Sequence, residues 1–160
     1  MLQESGQQVQ GWLLPWILES LQTPDLLADT GYRYTLNWCH DDQPGCLRTN
    51  SGQTLRAVPY PQELNDIPMI VSRQLDAKDF AQMIIDQFEE MLDQSRRQLL
   101  VMGIALHPYL VGQPYRLRHL RRALQHIAAK RDRGSAWFTT PRAICSHVEE
   151  LRQHHPEDFA

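Results

Sequence analysis

The chain predicts an α/β fold in which parallel strands are covered by helices, and three observations carry that prediction. Strand-like and helix-like patterns alternate over the second half, which favours a parallel sheet with right-handed crossovers. The run LLVMGIAL, Leu99 to Leu106, is apolar and free of charge, as suits a strand buried on both faces. On either side of it, long segments repeat apolar residues every three or four positions, the mark of amphipathic outer helices.

Length and composition set the frame. The 160 residues suit a single domain spanning 1–160 with a sizeable core, and a net charge of −3 gives no global pull toward nucleic acid or acidic membranes. A small-molecule substrate is the expected partner. Cys39, Cys46 and Cys145 form no C-x-x-C pair, so reduced thiols are expected rather than a disulfide framework or a zinc finger. No apolar run approaches the roughly 20 residues of a membrane span, and MLQESGQQVQ lacks the basic start and apolar centre of a targeting sequence. These features predict a cytoplasmic chain.

In order, GWLLPW places Trp12 and Trp16 around a proline, where two indoles line a pocket or cap a core. Thr23 reads as an N-cap followed by Pro24 at the first helical position and Asp25 in the first turn, and Gly31 reads as the stop. YRYTLNW, Tyr32 to Trp38, is aromatic and β-branched, hence a strand. A second strand is expected from Thr54 to Val58, ahead of the proline-punctuated loop PYPQELNDIPM. Between Asp76 and Gln98, Phe80, Met83, Ile84, Phe88, Met91 and Leu92 form one helical stripe. A basic helix from Arg116 to about Arg131, a short strand at Ala136 to Thr139 and a last helix from about Pro141 to Gln153 complete the pattern.

Chemistry is expected in two places. His107 stands where the central apolar run ends, and Pro108 biases it away from helical geometry while Gly112 and Pro114 keep the next segment irregular. Side chains at the carboxyl ends of parallel strands line sites in such folds, and imidazole is the usual proton carrier near neutral pH. The alternative is a histidine that only hydrogen-bonds a loop carbonyl. The second place is Cys39-His40-Asp41-Asp42-Gln43-Pro44, where Asp41 and Asp42 beside a histidine either bind a cation or orient a base, or satisfy an ordinary turn. Arg116, Arg118, Arg121, Arg122, Lys130, Arg131 and Arg133 surround an apolar stripe of Leu117, Leu120, Leu124 and Ile127, so the basic helix reads as a solvated outer helix and not a nucleic-acid face. His154 and His155 read as surface near a terminus.

Taken together, Gly11-Trp12, TPDLLADTGYRY, DDQP at Asp41 to Pro44, PYPQELND at Pro59 to Asp66 and IALHPYLVGQPYR at Ile104 to Arg116 resemble the carboxyl-terminal half of the polysaccharide deacetylase superfamily, in its allantoinase and chitin-deacetylase-like branch. The resemblance covers most of the chain in the right order. It implies a partial, distorted (β/α) barrel of the NodB-like type and hydrolysis of carbon–nitrogen bonds other than peptide bonds. By that resemblance His107 protonates the leaving amine. Trp12, Asp41, Asp42, Tyr60, Glu63, Asn65 and Asp66 would bind substrate, a small molecule or an N-acetylated sugar, on one rim shared with His107. By the resemblance, some relatives carry an arginine where Gln10 stands, and an aspartate is frequent where Asn37 stands. The family's early aspartate-rich strand end and histidine pair have no counterpart before Gly11, so no residue is assigned to a metal here, although a divalent metal occurs in the family.

Three readings follow from the residues and the resemblance: a catalytically incomplete hydrolase domain, a half-enzyme whose base comes from a partner chain, or a non-catalytic binding module that uses the same cleft. An incomplete barrel would leave strand edges and apolar surface open, which predicts self-association.

Overall fold

In the computed structural model, residues 8–131 and 134–154 are described, and the expectations for Arg133 and His155 lie outside them. Backbone contacts group the chain into two compact units, one formed by residues up to Pro59 with those from Thr139 onward, the other by Tyr60–Phe138. No helix among the described residues is long and apolar enough to cross a membrane.

The first unit is built on a four-stranded sheet in the order β1-β2-β4-β3, with β1 at Gly11–Trp12, β2 at Tyr34–Thr35, β3 at Gly45–Arg48 and β4 at Thr54–Ala57. The pairs β1–β2 and β2–β4 are parallel, whereas β3 and β4 form an antiparallel hairpin. Helix α1, Thr23–Asp29, makes the crossover between the first two parallel strands. Its N-cap is Gln22, one residue before the expected Thr23, whose hydroxyl instead accepts the Ser20 N–H at 3.0 Å. Gly31, at φ 85°, takes the chain through the left-handed turn that ends the helix. Asp25 then accepts the Asn50 backbone N–H at 2.6 Å, and Asp29 accepts from Gln53 at 2.8 Å, so α1 is tied to the turn of the hairpin.

Within the sheet Gly11, Tyr34, Arg56 and Cys46 fall in one register row. A Cβ at Gly11 would lie 2.1 Å from the Tyr34 ring, a ring half-buried by its surroundings. Gly11→Ala is therefore expected to lower stability by about 1–3 kcal/mol through overpacking, measured by urea denaturation. Helix α5, Pro141–His154, adds Glu149, which pairs with Arg33, and Cys145, whose thiol is pushed up to about 11 chiefly by burial.

The second unit is helical. Helix α2, Ala77–Gln94, and helix α4, Pro114–Arg131, pack Phe80, Ala81, Ile84 and Phe88 against Leu120, Ala123 and Ile127. Leu64, Met69 and Ile70 join this core, as do Leu110 and Val111 from the one-turn helix α3, Pro108–Val111. The expected stripe on α4 is rotated slightly. Ala123 is fully buried and the neighbouring Leu124 stands at the rim, because a small residue lets the two helices approach.

On the exposed side of the same helix pair, Glu89 accepts from His126 Nε2 at 2.5 Å and from Lys130 at 3.1 Å. These bonds, His126 first, hold its carboxyl below the ordinary range. A lowered folded value means that the stabilisation is complete above the ordinary carboxylate range and is lost as pH falls through the folded value. The melting-temperature gap between wild type and Glu89→Gln should thus be constant at neutral pH and shrink on acidification below about pH 4.

Two expected strands are absent. Leu99–Leu106 forms only a single parallel bridge, Ala105 with Asn65, and its residues are half-exposed except Ala105. The neighbouring segment turns at residues 62–64, and in this register Pro61, which has no N–H, falls opposite Val101, so there is no straight partner to pair with. Ala136–Thr139 forms no strand: Ala136 lies in a bend and residues 137–139 belong to no regular element. YRYTLNW contracts to Tyr34–Thr35; beyond it Asn37 accepts the Leu14 backbone N–H, and the Asn37 amide and the Trp38 indole N–H both donate to Glu19. Ile67–Met69, the end of the expected loop, instead opens a π-helical turn, Ile67–Ser72, that starts directly after Asp66.

Candidate active site

The single bridge between Asn65 and Ala105 positions the chemistry of the second unit. Ala105 N–H donates to the Leu64 carbonyl at 2.8 Å, and the Asp66 N–H donates back to the Ala105 carbonyl at 3.2 Å. This register places Asp66, fully buried, against His107. Asp66 Oδ2 accepts the His107 backbone N–H at 2.7 Å, and Asp66 Oδ1 lies 2.6 Å from His107 Nδ1. A carboxylate only accepts, so Nδ1 carries the hydrogen and Nε2 is left free.

His107 is held from the other side as well. Its carbonyl accepts the N–H groups of Leu110 and Val111, so it caps α3, and Pro108 occupies the first helical position, where no N–H is needed. The imidazole side chain is 37% exposed, which gives solvent and ligands access to a ring whose inner edge is fixed. Tyr109 meets it edge-on at 5.8 Å between centroids. A buried acid, an oriented imidazole and a free outward nitrogen are the parts a proton-transfer dyad requires.

The remaining expected residues of this unit differ in role. Tyr60 is half-buried, and its phenol is held above its ordinary value by burial, with the Asp66 charge adding to the effect, so it is a neutral hydroxyl donor. Asn65 turns its side-chain oxygen to the Ile67 N–H at 3.1 Å and so shapes the turn that presents Asp66. Glu63 is exposed. In the first unit, Trp12 is half-buried edge-to-face with Tyr32, centroids 5.2 Å apart, and its indole nitrogen is buried without a hydrogen-bond partner among the described residues. Asp41 is exposed and accepts from the Gln43 amide at 3.1 Å, while Asp42 adopts φ 63°. Among the described residues no group of three or more His, Cys, Asp or Glu side chains is placed to hold a metal ion.

One group escaped the sequence reading. Glu19, half-buried, accepts the Asn37 amide at 2.6 Å and the Trp38 indole N–H at 2.8 Å. Asn37 is itself buried, and its oxygen accepts the Leu14 N–H at 3.0 Å. Position 37 is an amide, and the carboxylate beside it comes from Glu19 in the loop after β1. Nothing in LESLQ marks Glu19 as different from a solvated loop residue; only the amide at position 37 hints that a partner is needed.

Comparison with solved structures places this architecture. The chain superimposes on PuuE allantoinase with a TM-score of 0.81 and 23% identity, over 97% of its own length and 50% of the other's. It matches a protein assigned as a polysaccharide deacetylase from Pseudomonas aeruginosa PAO1 at 0.79 and 22%, over 97% and 50%. A third, assigned as a polysaccharide deacetylase from Mycobacterium smegmatis, matches at 0.77 and 22%, over 94% and 53%. No protein-family model matches the chain, and no curated protein matches its sequence. The fold is that of part of a NodB-like α/β barrel, the fold shared by these deacetylase and allantoinase structures, and the chain spans about half the length of the structures it matches.

Proposed function

We propose that the chain carries the proton-donating part of a hydrolase acting on carbon–nitrogen bonds other than peptide bonds, with His107 as general acid. The observation that carries this reading is the grip of both Asp66 oxygens on His107. Cleaving a C–N bond expels a nitrogen that is a poor leaving group until protonated. A ring held at Nδ1, with a protonated Nε2 facing the substrate within about 3 Å, delivers that proton as the bond breaks. Asp66 then balances the imidazolium in the resting complex and fixes the ring's direction. The fold shared with an allantoinase and with proteins assigned as polysaccharide deacetylases supports an N-acetylated sugar or a cyclic ureide as substrate. The exposed free thiols of Cys39 and Cys46 support a reducing compartment, the cytoplasm.

A second reading rests on the half-length coverage of the matched structures: the base that activates water comes from polypeptide beyond these residues, in the same chain or in a partner. Assaying allantoin and N-acetylated sugars, with the chain alone and with a homologous amino-terminal half added, separates the two. Asp66→Asn tests the acid itself. It preserves shape but offers an amide to Nδ1 and the backbone N–H, so turnover should fall about 10- to 100-fold with substrate affinity retained. Unchanged turnover in a folded Asp66→Asn protein rules this reading out.

A further inference from the structure

We propose that Arg56, with Tyr34 and Arg142 beside it, binds a phosphate dianion where the sheet of the first unit meets Cys145 of α5; this stands independently of the hydrolase reading. Tyr34 and Arg56 are register partners in the parallel pair β2–β4, so both side chains leave the same face of the sheet. Arg56 is half-buried, and its Nε is sealed from solvent with no acceptor among the described residues. No carboxylate among the described residues pairs with its guanidinium. Two more arginines share this place: the charges of Arg33 and Arg142 bear on the Tyr34 hydroxyl, and those of Arg33 and Arg56 on the Cys145 thiol. Glu149, the carboxylate among them, is already occupied by Arg33 and by the Cys145 thiol at 3.7 Å. Arg142 donates to a neutral group, the Gln8 carbonyl, at 3.1 Å. Two of the three cations are therefore left without a counter-charge.

A cation drawn partly out of water is costly unless an anion and hydrogen bonds compensate it, and buried donors are as a rule paired. An arginine that only laid its stem along the sheet would carry its donors out to solvent, whereas the Nε of Arg56 stays inside. The planar fork of a guanidinium matches two oxygens of a phosphate, and the pair is held by charge-assisted bonds. Burial holds the Tyr34 phenol above its ordinary value against the opposing charge of Arg142, so it is a neutral hydroxyl able to donate to a further oxygen. A phosphate near neutral pH carries close to two negative charges, which answers two uncancelled cations better than a single carboxylate does. Access is open from the edges, because Arg142 and Cys46, the partner of Arg56 across the β3–β4 hairpin, are both exposed.

The test is calorimetry on the whole chain at neutral pH, titrated with inorganic phosphate, glycerol phosphate and acetate at one ionic strength held with sodium chloride. Phosphate should bind saturably and raise the melting temperature, and acetate should do neither. Arg56→Met keeps the length of the stem and removes the fork. It should weaken phosphate about tenfold to a hundredfold, the loss of charge-assisted bonds, and erase the rise in melting temperature. Arg142→Gln, at an exposed position, should weaken phosphate several-fold, and it carries the test if Arg56→Met does not fold. Tighter binding of glycerol phosphate than of phosphate assigns the site to a phosphorylated metabolite, equal or weaker binding assigns it to the free ion, and either supports the proposal. The proposal is overturned if phosphate shows no saturable binding over chloride, or if acetate binds as well as phosphate. It is also overturned if folded Arg56→Met, or Arg142→Gln where that variant does not fold, binds phosphate as wild type does. Binding is read without turnover, so failure here leaves the role of His107 to its own assays.

Discussion

If His107 is the general acid proposed above, His107→Ala is expected to lower turnover on a carbon–nitrogen substrate by roughly 10²- to 10⁴-fold, the usual contribution of a positioned proton donor. The fall is expected in kcat, with KM nearly unchanged, because an imidazole in that role would act on the leaving nitrogen in the transition state and add little to ground-state binding. The side chain is 37% exposed and lies outside the helical core, so its removal opens no cavity there. The truncation leaves the buried Asp66 carboxylate with its backbone bond from residue 107 but without the imidazole, a loss of about 1–3 kcal/mol that the rate must be corrected for. If His107 only stabilises a loop, the variant melts earlier while the rate per folded molecule is preserved. Turnover normalised to the folded fraction decides between the two.

Phe80→Ala costs about 3–5 kcal/mol, a large part of the roughly 5–15 kcal/mol that holds a typical domain folded. Phe80 is 2% exposed on the face of α2 that meets α4, with Ile84 and Phe88 stacked one and two turns further on. Its removal leaves a cavity lined by residues already fixed by two helices, which collapse poorly around it. Leu124→Ala, of similar chemistry but 41% exposed, should change stability by no more than about 0.5 kcal/mol. Urea melts of the pair, with equal m-values, check the contrast; equal losses would place the core elsewhere.

The helices were legible because their signal is local. Phe80, Ile84 and Phe88 declare a face within one element, and α2, α4 and α5 lie close to where the periodicity puts them. Strands are not defined within one segment. LLVMGIAL has the composition of a buried strand, but pairing depends on the neighbour, and there the chain turns after Pro61. The hairpin β3–β4 was missed for the opposite reason: Gly45–Arg48 has a single large apolar residue, Leu47, too short an alternation to register. The site divides in the same way. His107 was visible through Pro108 and its place after an apolar run, whereas its pairing with Asp66 joins residues 41 positions apart and depends on one bridge. Glu19 had no local mark at all, since its partners are 18 and 19 positions away.

The grip of Asp66 on both hydrogens of one residue has a consequence for how the ring recharges. With Nδ1 sealed against a fully buried oxygen, the imidazole exchanges hydrogen with its surroundings through a single outward opening, Nε2. In the proposed role, a proton given up at Nε2 would return by the same door, from water or ligand at the exposed face, so whatever covers that face would set the pace of reloading as well as the access of substrate.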